Sequence, residues 1–219
     1  MATRALLSEL AAAFGAASGN TVTMTAVGGV DAARRVMAGE AFDVVVLASD
    51  AIAKLAAAGR VLAGSQTDLV RSAVAVAVQA GAPTPDMASE AALRRAVLAA
   101  RSIGFSSGPS GVQLTALFER WGIAAQVADR LVQVLPGVAV GSLVASGEVE
   151  LGFQQLSELM HLRGITVLGE LPPPVQLITR FSAAIATSSV QAQAARALLE
   201  FFAAPTHDAA KRRHGFAPA

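Results

Sequence analysis

The 219-residue sequence has no cysteine, no tyrosine, one tryptophan and only 5% aromatic residues. Lack of cysteine excludes a disulfide framework, a thiol nucleophile and thiolate metal sites, and it is compatible with an oxidising compartment. With so few rings, stacking platforms for bases or sugars are not expected. Charge is also scarce: Asp, Glu, Lys and Arg make up 15% and balance to +1. Such a chain has no electrostatic footprint for nucleic acid or for an anionic membrane. Its one basic cluster, Lys211-Arg212-Arg213, reads as the solvated face of a final helix. No uninterrupted apolar run reaches the roughly 18 residues of a membrane span. The apolar stretch 5–17 is interrupted by Ser8 and Glu9, and Leu6, Leu10 and Phe14 fall on one helical face, which marks an amphipathic core helix rather than an export segment. His161, His207 and His214 share no ligand spacing, so neither a metal nor a cofactor is expected. Nucleophile-elbow, zincin, Walker and dinucleotide motifs are all missing.

What is present is core material, 53% hydrophobic residues, arranged so that short apolar runs alternate with amphipathic segments. Residues 21–27 are β-branched and strand-like. A helix follows from Asp31, and 43–47 is a wholly apolar run with the look of a parallel strand buried on both faces. Ser49 and Asp50 cap the next helix, which stops at Gly59. The alternation continues through strand 102–105, a helix from Pro109, strand 131–135, a helix near 140–145 and strand 151–153. This predicts an α/β chain with mixed, mostly parallel sheets. Two long extended segments, 70–78 and 175–186, bracket half the chain. They predict two lobes joined by crossing strands, one formed by 1–72 plus 183–219 and the other, inserted, by 73–182. The C-terminal helices then return to the first lobe. A ligand is expected in the cleft between lobes, at the carboxyl ends of strands.

The most informative motif runs Gly104-Phe105-Ser106-Ser107-Gly108-Pro109-Ser110-Gly111 into a helix with apolar residues at Leu114, Leu117 and Phe118. A strand that stops in small hydroxylated residues at a helix start leaves backbone N–H groups, Ser hydroxyls and the positive end of the helix dipole together, which is an anion cradle. Taken locally, the same residues also suit simple capping.

The stretch from Ala26-Val27-Gly28-Gly29-Val30-Asp31 to Val44-Val45-Val46-Leu47-Ala48-Ser49-Asp50, the Gly108-Pro109-Ser110-Gly111 turn, the run Leu151-Gly152-Phe153-Gln154-Gln155-Leu156-Ser157-Glu158-Leu159 and the ending His214-Gly215-Phe216 resemble molybdate-type periplasmic substrate-binding proteins in order and spacing. The resemblance spans the chain and implies a two-lobe type II periplasmic binding protein-like fold. It also implies a periplasmic location, a monomer, a small anionic ligand and delivery to the membrane subunits of an ABC-type transporter. It places ligand contacts at Met1, Ala2 and Thr3, at Gly28, Gly29 and Val30, at Ser49, in the loops 107–111 and 136–141 with Ser107, Ser110 and Val140, and at Gln154 and Gln155. Gln155 stands where molybdate binders carry an aromatic hydroxyl, and Gly28-Gly29 replaces a serine-rich loop. These departures point from molybdate toward an organic carboxylate. Relatives begin with a central strand before the first helix, so the first lobe is expected to lack its first strand and the start to be truncated, which also accounts for the unseen export signal.

Single residues have structural readings too. Arg71 suits a carboxylate clamp or a hinge ion pair equally. Asp31 suits a helix N-cap. Trp121 suits a core anchor at a helix end. Gln154 and Gln155 alternate, so one faces the ligand while the other satisfies backbone. Two function classes follow: a binding protein for a small anion, and an isomerase of unsaturated tricarboxylates on the same fold. Proton transfer needs a positioned base. The candidate loops offer no His, Lys or Cys, with Asp31, Asp50 and Glu158 the nearby carboxylates, and this favours binding.

Overall fold

The computed structural model describes residues 2–135 and 137–219; Met1 and Pro136, both within expected ligand loops, lie outside the described residues. The chain opens with α1 (Arg4–Ser18), α2 (Gly29–Met37), β1 (Val44–Ala48), α3 (Ser49–Ala57) and β2 (Thr67–Gln79). It continues through α4 (Glu90–Ala99), β3 (Ile103–Phe105), α5 (Pro109–Arg120), α6 (Ala124–Val127), β4 (Leu131–Gln133), α7 (Val140–Ser146), β5 (Leu151–Gln155), α8 (Leu156–Leu159) and β6 (Ile165–Glu170). The last elements are β7 (Ile178–Ile185), α9 (Ala192–Ala203), α10 (Asp208–Arg213) and β8 (Ala217–Pro218). Two compact units result, Met1–Ser72 with Thr179–Ala219, and Ala73–Ile178.

In the first unit β1 pairs antiparallel with β7, β7 neighbours β2, and the start of β2 pairs with β8. The alternation of β1 explains its two covered faces. Val45 and Leu47 pack with Val36 of α2 and with Ile52 and Leu55 of α3, whereas Val44 and Val46 turn to the cluster built by α1 and α9. There the expected amphipathic helix buries Leu6, Leu7, Leu10, Ala11 and Phe14, with Phe14 edge-on to Phe201 at 5.4 Å. Each such fully buried large side chain stabilises by about 1.5–3 kcal/mol.

Three expectations are corrected in this unit. Residues 21–27 do not form a strand, and Met24 is exposed. Among the described residues no strand pairs with them, and an extended segment without a hydrogen-bonding partner is not a strand. The run 44–48 lies antiparallel to β7, so burial on both faces did not signal parallel pairing here. Lys211 is not solvated: it is 2% exposed, its Nζ donating to Ala203 O at 3.1 Å and to Asp208 Oδ1 at 3.2 Å. It closes the carboxyl end of α9, where free carbonyls and the negative dipole end favour a cation.

The second unit is built on a mixed sheet. Parallel β3, β4 and β5 form one side in register, Gly104 opposite Val132 and Gly152. The far end of β2 then adds antiparallel to β5 and to β6, a strand that sequence reading missed because 165–170 alternates weakly. Antiparallel pairing therefore takes a larger share than expected. One sheet face carries Val74, Val76, Leu151 and Phe153 into the cluster with Leu114, Leu117 and Phe118 of α5. The opposite face is tight against α7: a Cβ on Gly152 would sit 2.4 Å from Val144 Cγ2, so glycine is what lets the helix approach. Trp121 is the expected anchor, stacked on Phe118 and donating from Nε1 to Glu90 Oε1 at 2.6 Å.

Candidate functional site

In the second unit, the parallel register sends β3 and β5 out of the sheet at the same edge, Phe105 opposite Phe153. The serine loop and the glutamine pair are therefore neighbours. α5 begins behind Gly108 with no side-chain cap, so the hydroxyls do not serve as caps. Instead Ser110, 5% exposed, lies with Oγ 3.0 Å from Ser106 Oγ. The first turn is drawn hard against the loop, since a Cβ on Gly111 would fall 1.8 Å from the Ser106 carbonyl oxygen. Ser107 lies in the bend between them, half-buried. Val140 opens α7 with its side chain fully buried beside Gly104 and Gly152, leaving only its backbone to meet a ligand.

Gln154 and Gln155 point to opposite faces, as the period of a strand requires. Gln154 lies opposite Ala75 and shares a face with Ala77 and Leu159; Gln155 lies opposite Val74, on the face of Phe153. Gln154 is 2% exposed, yet its Oε1 is buried without a hydrogen-bond partner among the described residues, as are Ser157 Oγ and Gln113 Oε1. Glu158 is half-buried one turn on. Burial pushes its carboxyl above the usual carboxylate range, and hydrogen bonding from Gln154 pulls it part of the way back.

In the first unit a second set of loops shares an edge. A Cβ on Gly29 would lie 3.8 Å from Leu47 Cδ2, which puts the start of α2 beside the carboxyl end of β1, where α3 begins at Ser49. Gly28 is the N-cap residue of α2 and offers backbone only, and Val30 is exposed. Asp31 is not the cap; it sits inside the first turn and pairs with Arg34 at 2.9 Å. Nor does Ser49 cap α3: its Oγ lies 2.5 Å from Ser182 Oγ and 3.2 Å from Arg180 O. Ser182 donates to Asp68 Oδ1 at 2.6 Å, and Asp68 also receives Arg180 Nη1 at 2.5 Å. Because Ser182 gives its proton to Asp68, the Ser49 proton goes to Ser182 Oγ or to Arg180 O. The Ser49 hydroxyl is thus engaged within the protein. Thr3 precedes α1 and accepts from Leu7 N through its carbonyl at 2.9 Å, and Ala2 is buried. Arg71 has no ion pair among the described residues and stands away from these edges: its Nε donates to Pro218 O at 3.0 Å, across the pairing of β2 with β8.

Gly28, Gly29, Val30 and Ser49 are thus gathered at one sheet edge, and Ser107, Ser110, Gln154 and Gln155 at another. Sequence reasoning missed Ser106 as the partner of Ser110, the buried amide of Gln113 and the Asp68–Ser182–Arg180 network. Ser106 stood in the quoted motif; the others depend on contacts between residues more than 60 apart, for which the sequence held no signal.

The mixed α/β architecture is that of the type II periplasmic binding protein fold, as its structural neighbours show. The periplasmic molybdate-binding protein of Azotobacter vinelandii shares this fold at a TM-score of 0.79 and 21% identity, covering 98% of this chain and 95% of that one. A sulfate-binding protein from Mycobacterium tuberculosis H37Rv does so at 0.77 and 19%, covering 98% and 83%. Residues 1–217 match the family of bacterial extracellular solute-binding proteins, and the chain belongs to it. An aconitate isomerase from Pseudomonas sp is 39% identical over 178 residues, which is 81% of this chain and 67% of that protein.

Proposed function

We propose that this protein binds a small organic polycarboxylate anion in the periplasm and delivers it to the membrane subunits of an ABC-type transporter. The observation that carries the reading is the convergence, at one sheet edge, of the α5 start, the Ser106–Ser110 hydroxyl pair and the Gln154–Gln155 strand end. The α5 start and the hydroxyl pair supply uncharged donors and a helix dipole, suited to holding an anion without a counter-charge, and the glutamine strand end lies beside them. The likeness to an aconitate isomerase supports a tricarboxylate over an inorganic oxyanion.

That likeness also favours a second reading, isomerisation of an unsaturated tricarboxylate. The chemistry asks for one base. It takes a proton from the methylene carbon, the resulting carbanion delocalises over the adjacent double bond, and the same proton returns to the far carbon of the allyl unit. Glu158, half-buried and with its carboxyl raised by burial, is the group suited to that exchange.

One experiment separates the readings. Thermal shift and calorimetry with cis-aconitate, trans-aconitate, citrate, sulfate and molybdate test binding, since ligand at one hundred times Kd adds about 2.7 kcal/mol to the folded state. Proton NMR of trans-aconitate with the protein tests turnover. Tricarboxylate binding without turnover supports transport; turnover abolished by Glu158→Gln with binding retained supports the isomerase. Absence of any anion binding defeats both. Ser110→Ala should weaken the bound tricarboxylate about tenfold to a hundredfold, the worth of one hydrogen bond to a charged group. An unchanged affinity removes that hydroxyl from the site.

A further inference from the structure

The buried polar atoms beside β5 ask for something the rest of the candidate site does not supply. Gln154 Oε1 and Ser157 Oγ have no partner among the described residues, although Gln154 is 2% exposed. A buried acceptor left unmatched is costly, so native structures rarely keep one without a group to fill it. With the amide nitrogen of Gln154 turned to the Glu158 carboxyl, the free end of the amide is its oxygen. An incoming group at this point meets the Gln154 carbonyl and the Glu158 carboxyl, both rich in lone pairs. The unmatched Gln154 oxygen can form no hydrogen bond to a bare carboxylate or sulfate oxygen, whereas it accepts one from an O–H. The Ser157 hydroxyl, which both donates and accepts, can hold a carboxylate oxygen next to that O–H.

We propose that Gln154, with Ser157 and Glu158, forms a donor-seeking subsite that selects polycarboxylates carrying a hydroxyl over those without one and over fully ionised inorganic oxyanions. The proposal rests on the polycarboxylate-binding reading and names the chemical feature that the ligand must bring to it. It differs from the α5 start, which rewards negative charge: one region holds the anion and the other inspects it for a proton. Sites built to bond a hydroxyl reject the analogue lacking it more strongly than apolar pockets reject a missing methylene, because the protein's own polar group is then stranded.

The test compares citrate with propane-1,2,3-tricarboxylate, and malate with succinate, by calorimetry on the full chain, with sulfate as a third arm. The hydroxyl-bearing member of each pair is expected to bind about tenfold to a hundredfold more tightly. Gln154→Met, which keeps length and removes the acceptor, should shrink that preference to a few-fold by weakening citrate. Where Gln154→Met does not fold, Glu158→Gln carries the test, because an amide at 158 offers a donor and should improve propane-1,2,3-tricarboxylate relative to citrate. Equal binding within each pair for the unmodified protein overturns the subsite while leaving anion binding standing. A preference that survives both substitutions overturns its assignment to these residues. Failure of every probe to bind overturns the polycarboxylate reading and the subsite with it.

Discussion

Asp68 shows how much one side chain can organise. It accepts from Ser182 and Arg180, and through Ser182 it fixes Ser49 at the head of α3. The Ser182 hydrogen bond, then the Arg180 guanidinium, hold its carboxyl below the usual aspartate range. Because the folded value is depressed, the unfolded chain takes up the proton first as pH falls. The stabilisation is therefore complete above the ordinary aspartate pKa and is lost as pH drops through the lower folded value. Asp68→Asn should flatten this acid limb, read as melting temperature against pH between about 5 and 2. An unchanged acid limb means that Asp68 contributes no proton linkage. At this scale the sequence offered least: Asp68 and Ser182 are 114 residues apart, and nothing in either local context announces the pairing.

At the scale of elements, legibility tracked local chemistry. The α5 start and the long extended segments that form β2 and β7 followed from turns and apolar runs, because those signals lie within a few residues of the structure they cause. Residues 21–27 failed for the opposite reason. β-branched composition makes a strand available, but pairing makes it real, and the partner is not written in the segment. Backbone amides in 21–27 are accordingly expected to exchange with deuterium much faster than those of β1, by mass spectrometry on the intact chain. Protection equal to that of β1 would show that the segment is paired. The α5 start yields a sharper prediction. Gly111→Ala forces a methyl into the Ser106 carbonyl, so the loop or the helix must move. Overpacking of this kind costs about 1–3 kcal/mol, and displaced Ser106 and Ser110 should lose ligand as well. A variant with native melting temperature and native affinity would show that this close approach is not needed.

For the whole molecule, the division of the core decides what can stand alone. The unit Ala73–Ile178 is continuous in sequence and holds its own apolar cluster, from Val74 and Leu93 through Phe118 and Phe153 to Val175. Its strands β3, β4, β5 and β6 find their pairings with each other and with the far end of β2, which the segment itself contains. The other unit is assembled from two pieces distant in sequence, so its core cannot form until both are present. A domain of about 100 residues is long enough to bury a self-sufficient core. We therefore expect the isolated 73–178 segment to fold, with dispersed amide resonances and one cooperative thermal transition, whereas 1–72 alone should remain unfolded. The enthalpy of that transition should be about 60–80 kcal/mol, the usual figure for a domain of this length. A 73–178 segment with collapsed resonances and no cooperative transition would show that its sheet depends on residues outside it, the start of β2 before Ala73 and the strand beyond Ile178 being the first to restore.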